Sequence, residues 1–171
     1  VYAAGWVVKP GWNWRRPYGE DSPPDEPAVH ITFDEAMAYC AWRGQRLPNR
    51  DEWIQAGYTE SRRHPPAPFQ RGVTYDYPTG NSPEGANCLA ECGGGQTPIA
   101  GKRDYSRHLH RGFGHAPVGR TKPGVNGLFD MGANVWEWAV MGTGSSQATM
   151  GGSWWYDARQ MMADYGATKP R

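Results

Sequence analysis

The residues best suited to chemistry lie in one run, Gly127-Leu128-Phe129-Asp130-Met131-Gly132-Ala133-Asn134-Val135-Trp136-Glu137-Trp138. It sets two carboxylates, a carboxamide and two indoles among glycines. Gly132 and Asn134 disfavour a helix interior. Asp130, Asn134 and Glu137 share no period-two face, so a plain strand fits no better. The run predicts an irregular turn that wraps oxygens around a positive charge. Asp130 and Glu137 would give carboxylate oxygens, Asn134 a carbonyl oxygen, and freed backbone carbonyls the rest. A calcium ion takes such an all-oxygen set, about six to eight ligands in number. A tight turn whose polar side chains satisfy their own backbone is the alternative.

Other reactive side chains are few. Cys88 and Cys92, four apart, can close a small loop as a disulfide, which leaves Cys40 single. A buried free thiol is the ordinary state of such a residue. No second cysteine pair supports metal ligation. His108 and His110 would share one face of a strand, but Arg103, Arg107 and Arg111 crowd them and no acidic partner follows. Surface histidines in a basic loop are the expectation there. The net charge of +1 gives no electrostatic case for nucleic acid or an anionic membrane. No apolar run reaches the length of a membrane span.

The elements that must position these residues are sparse. With 171 residues, the chain reads as one domain, 1–171, and 23 Gly with 15 Pro make much of it loop. Nine Trp and nine Tyr supply large rings to anchor irregular segments. Residues 1–28 read as extended and proline-broken, with Trp12 and Trp14 on one face of a strand, and Glu20 to Pro27 as an acidic surface loop. Val29-His30-Ile31 reads as a short strand entering a helix. Thr32 caps that helix with Glu35 completing a capping box, and Gly44 stops it. Phe33, Ala36, Met37 and Cys40 give it one buried face. A second helix follows, with Asn49 as cap, Glu52 three residues on, and an end at Gly57. From Tyr58 to Pro117 the chain is mostly coil, which in a compact domain is functional or stapled. Asn126-Gly127 is a turn pair. Gly151-Gly152 allows backbone to approach backbone closely before Ser153-Trp154-Trp155-Tyr156.

Several of these pieces fall into one order. Ala38-Tyr39-Cys40-Ala41-Trp42-Arg43-Gly44-Gln45-Arg46-Leu47-Pro48 with Glu52-Trp53 resembles the helix-to-helix signature of the formylglycine-generating enzyme (sulfatase-modifying factor) family. Gly127 to Met131 with Asn134-Val135-Trp136-Glu137-Trp138 resembles its second signature, and Gly151-Gly152-Ser153-Trp154 its third. Ala86-Asn87 and Ala116-Pro117-Val118-Gly119 also match. The resemblance runs from about residue 27 to 155. It implies an α+β, C-type-lectin-like fold with two short helices, small twisted antiparallel sheets and much irregular coil. The family's usual opening strand and closing Gly-Phe-Arg-type strand have no counterpart in this sequence, so a partner that some members give the cysteine matching Cys40 is missing.

The resemblance also implies ligands. Family members hold calcium with the residue matching Asp130, backbone carbonyls at Ala133 and Val135, and the carboxylate at Glu137. A second calcium site would begin at Asn87 with the Cys88 carbonyl, but its other partners find no clear match near Arg111-Gly112-Phe113. The active enzymes oxidise a substrate cysteine with two of their own, which hold copper(I) as soft thiolates. Here those positions are Tyr156 and Met161, so copper and the oxidase mechanism are not expected. The related sulfoxide synthases hold iron with three histidines of a separate helical domain, outside this chain. Tyr156, Asp157 and Arg159 lie where such a domain presents its active-site face, as candidate proton donor and substrate clamps. A packed ring and a surface ion pair are the alternative. Trp12, Trp14, Trp154, Trp155 and Tyr156 are the side chains expected around any cleft, which would suit a peptide or apolar ligand. The candidate disulfide and calcium together favour an extracytoplasmic protein, periplasmic or secreted.

Overall fold

Two capping boxes start the two helices of the computed structural model, which describes residues 9–89, 91–93, 114–142 and 146–165. In α1 (Phe33–Trp42) the Thr32 hydroxyl accepts from the Glu35 amide, and Glu35 accepts from the Thr32 amide at 2.8 Å. Asn49 and Glu52 exchange the same pair of bonds at the start of α2 (Arg50–Tyr58). Gly44, at φ +70°, lets the amides of Gly44 and Gln45 fold back onto the Ala41 and Cys40 carbonyls and ends α1. Helix α2 runs one residue past its expected end, because Gly57 is packed under Met131.

The expected buried face of α1 is a narrower contact. Only Phe33 is fully buried, its ring meeting Trp138 edge-on at 5.6 Å. Ala36, Met37 and Cys40 are half-buried, so Cys40 is a free thiol at the margin of the core. The reason is that Met37 and Ala41 face an open groove toward Leu47 and Val140. Residues 29–31 form no strand: His30 turns the chain at φ 58°, and its Nε2 lies 2.9 Å from the Pro17 carbonyl. Residues 12–16 are likewise a tight turn, closed by Asn13 and Arg16, so Trp12 and Trp14 do not share a strand face.

One antiparallel pair, β1 (Glu137–Met141) and β2 (Ser146–Met150), forms the sheet. Ala139 faces Ala148 directly, and these small residues admit the large ones of the main cluster, Trp53, Tyr58 and Met150. The chain is α+β with much irregular coil, as expected. The Cys88–Cys92 disulfide is present and sits with Ala86, Ala133, Ala158 and Met161 in a second cluster. No helix among the described residues is long and apolar enough to cross a membrane.

Coil is fixed by buried polar nodes more than by strands. Glu60 is fully buried and accepts from the Arg62 amide and guanidinium at 2.7–2.9 Å and from the Asn126 amide at 3.1 Å. Asn126 in turn donates to the Ala56 and Thr59 carbonyls, which ties the end of α2 to the Val125–Gly127 turn. The Arg62 bonds outweigh burial and hold the Glu60 carboxyl down at about 2. A depressed carboxyl stabilises the fold above its ordinary range, and that contribution is lost as pH falls from about 4.5 toward 2. The Glu60→Gln substitution should therefore cost about 3 kcal/mol at pH 7. Urea unfolding at pH 7 and pH 3 should show the gap between variant and wild type shrinking in acid.

Candidate metal centre

The central run folds as an irregular turn that delivers its last two residues into β1. Asp130, Ala133 and Asn134 are left-handed, at φ 60°, 60° and 53°. For an alanine this backbone costs on the order of 1 kcal/mol, so surrounding contacts must impose it. Several do. The Ala133 amide donates to the Gly151 carbonyl at 2.6 Å, and the Asn134 amide to the Asn87 carbonyl at 3.0 Å. Gly151 permits this approach, since a Cβ there would lie 2.9 Å from the Met131 carbonyl oxygen.

The Asn134 side chain has a different task from the one expected. Its Oδ1 accepts from the Ala116 amide at 2.7 Å and from Asn87 Nδ2 at 3.1 Å, while its Nδ2 donates to the Ala116 carbonyl at 3.2 Å. The carboxamide is buried, its oxygen accepts two bonds and its nitrogen donates one, so it is an internal staple instead of an oxygen offered to a cation. Asn87 is buried beside it and also donates to the Gly114 carbonyl at 3.0 Å. The partners sought for Asn87 and Cys88 near residues 111–113 lie outside the described residues, as do His108 and His110.

The two carboxylates sit at opposite ends of the turn. Asp130 accepts from the Gly119 amide at 2.7 Å and from the Thr121 hydroxyl at 2.6 Å, one donor to each oxygen. Glu137 accepts from the Trp53 indole N–H at 2.6 Å. Burial raises the Glu137 carboxyl to about 7; the indole bond opposes this shift and the charge of Asp130 adds to it. No cationic side chain pairs with Glu137 among the described residues. Nor do the Ala133 and Val135 carbonyls accept a hydrogen bond there. No three His, Cys, Asp or Glu side chains gather around one point among the described residues. A cation here would need backbone oxygens beside the carboxylates, which suits a hard ion such as calcium and excludes no other part of the reading.

The two positions that matched cysteines in the resemblance are occupied in different ways. Met161 is fully buried, its Sδ 3.8 Å from Cys92 Sγ. Tyr156 meets Trp136 edge-on at 5.6 Å, and its carbonyl accepts from the Leu89 amide. Asp157 is exposed at the start of the Ala158–Met161 turn without a side-chain cap bond. Arg159 pairs with Asp164 at 2.8 Å, both more than half exposed.

The aromatic candidates fall into two groups. Trp154 and Trp155 meet edge-on at 5.4 Å after β2. Trp12 packs near Tyr18 and His30, while Trp14 carries the Arg15 guanidinium 4.6 Å over its ring. Among the described residues no ring contact or hydrogen bond joins Trp12 or Trp14 to Trp154, Trp155 or Tyr156. One constellation escaped the sequence reading, the buried side chains of His115 and Glu26 with the half-buried Tyr18. Its members are 89 and 97 positions apart, so no spacing could have revealed it.

The staple yields a test. Asn134→Ala should leave the Ala116 amide and carbonyl without these partners in a buried place and take from the Asn87 side-chain amide one of its two, at a cost of about 3 kcal/mol. Chemical denaturation at pH 7 would measure it, and a loss below about 0.5 kcal/mol would contradict the buried network.

The family model of the sulfatase-modifying factor enzyme 1-like domain matches residues 2–170. The formylglycine-generating enzyme of Bos taurus is 33% identical over 145 residues, covering 80% of this chain and 33% of that protein. The inactive C-alpha-formylglycine-generating enzyme 2 of Mus musculus is 31% identical over 170 residues, 95% of this chain and 49% of the relative. The hercynine oxygenase of Mycolicibacterium thermoresistibile is 37% identical over 142 residues, 79% of this chain and 26% of that protein. The chain thus spans at most about half the length of these relatives.

Proposed function

Because the chain belongs to the sulfatase-modifying factor enzyme 1-like family, we propose that it is a divergent member with a calcium-stabilised fold, lacking copper-dependent cysteine oxidation and serving as a peptide- or ligand-binding domain. One observation carries the loss of sulfur chemistry. The sequence has three cysteines, of which Cys88 and Cys92 are bonded to each other and Cys40 is on α1. Two free thiolates are therefore not available to one copper(I) ion. The similarity to a mouse protein named as inactive supports the same reading. The disulfide also supports an oxidising, extracytoplasmic compartment.

Calcium at the central turn rests on Glu137. A half-buried carboxylate raised to about 7, with one indole as its hydrogen-bond donor among the described residues, favours meeting a cation or taking a proton. Asp130, Glu137 and the open carbonyls of Ala133 and Val135 would hold the ion. Its role would be to offset that charge and fix the left-handed turn. Ligand recognition would fall to the aromatic face of Trp154, Trp155 and Tyr156, with Trp12 and Trp14 as a separate face.

The similarity to a hercynine oxygenase favours a second reading, the corresponding part of a non-heme iron enzyme whose metal ligands lie outside this chain. Tyr156, Asp157 and Arg159 would then contribute side chains to a shared cleft. A longer gene product with three clustered histidines that binds iron would favour this reading over the first.

At pH 8, calcium at 100 times its Kd should stabilise the fold by about 2.7 kcal/mol over chelator-treated protein. Differential scanning calorimetry with and without calcium measures it, and Glu137→Gln should lose the response. An unchanged melting temperature would refute the calcium reading. Titration of the chain, its Cys88–Cys92 bridge intact, with copper(I) under a competing chelator should give no tight one-to-one uptake. Stoichiometric binding would restore the oxidase reading.

A further inference from the structure

The residues on either side of His115 are the backbone partners of the amide staple. Gly114 accepts from Asn87, and Ala116 exchanges two bonds with Asn134. The His115 side chain points the other way, into the N-terminal loop. Its Nε2 lies 3.2 Å from Glu26 Oε2, and both side chains are about 1% exposed. The Ser22 hydroxyl donates to the same Glu26 oxygen at 2.7 Å. His115 Nδ1 lies 3.2 Å from the Tyr18 hydroxyl, with the two rings stacked at 5.3 Å. Gly114 leaves room for that hydroxyl, since a Cβ there would come within 2.9 Å of it. The Val118 amide adds a bond to the Asp25 carbonyl at 2.7 Å.

An imidazole and a carboxylate this deeply buried cost desolvation, and a hydrophobic pair would join the two segments as well. What the polar pair adds is direction. Nε2 faces the Glu26 carboxyl and Nδ1 the Tyr18 hydroxyl, so each ring nitrogen has a polar partner. The ring is thus fixed at both ends, and the 114–116 backbone with it. That backbone sets the rotamer of Asn134, which lies between the two carbonyls offered to calcium.

We propose that His115, oriented by Glu26 and Tyr18, is a positioning residue for the calcium turn, so that docking of the loop 17–26 and calcium binding strengthen each other. The inference rests on the calcium reading above. Such coupling is reciprocal: whatever the docked loop adds to calcium affinity, calcium returns to loop docking.

The test uses the full chain and calcium itself, by isothermal titration at pH 8 with hydrogen exchange alongside. Glu26→Gln and His115→Gln should weaken calcium binding about tenfold. Glu60→Gln, which costs stability at a node away from the turn, should stay within about twofold of wild type. In wild type, calcium should slow exchange of the Gly19 and Ser22 amides, which close the loop's own turns. No calcium uptake by wild type would overturn the calcium reading and this inference together. Uptake with equal affinity in the Glu26 and His115 variants, or an equal loss in Glu60→Gln, would overturn the inference alone. Should either variant fail to fold, unchanged Gly19 and Ser22 exchange in the wild type would overturn it too.

Discussion

Two carboxamides facing each other in a dry interior, Asn87 and Asn134, hold this molecule in register. Between them they reach Gly114, Ala116 and the turn at 133–134, segments with no strand ladder in common. A coil-rich chain must satisfy its buried backbone groups somewhere, and here side-chain amides do what neighbouring strands do elsewhere. The geometry is selective because an amide offers donors and acceptors at fixed angles. Glu60 and Asn126 repeat the device at the end of α2. Among the described residues, these nodes fix the coil between a small sheet and two short helices.

The same logic separates the two acidic residues of the central turn. Asp130 is matched by donors on both oxygens and behaves as a staple for residues 119–121. Glu137, half-buried, is matched on one, so its charge is less well offset by the described groups. Sequence composition makes the two look equivalent. Their hydrogen-bond partners distinguish them, and that of Glu137 depends on where Trp53 of α2 and the start of β1 meet.

What the sequence disclosed follows from the range of each interaction. Both capping boxes, the glycine stop of α1, the Cys88–Cys92 closure and the close approach at Gly151-Gly152 are local, and each was legible from a few adjacent residues. The irregular turn was legible too, because no periodic structure accepts those residues. The face of α1 was misjudged since periodicity says which side is apolar, never whether something covers it. The partner of Asn134 was not legible for a related reason: its amide can face a cation or Ala116, and the choice lies eighteen residues away. The Glu26, His115 and Tyr18 group was invisible, for its parts meet only after the chain has closed.

Met161 holds a structural place in the fold, its thioether fully buried. A Cβ on Gly132 would fall 2.5 Å from the Met161 methyl, so that side chain fills the hollow beneath the central turn. Its sulfur rests against the Cys88–Cys92 bridge, and its carbonyl accepts from the Tyr58 hydroxyl at 2.7 Å. A long unbranched side chain suits such an irregular gap. A cysteine at this position would leave much of that volume empty, and the left-handed turn above it would lose support. Shortening this side chain would therefore disturb the turn that leads to Glu137, so Met161 supports that turn through its volume.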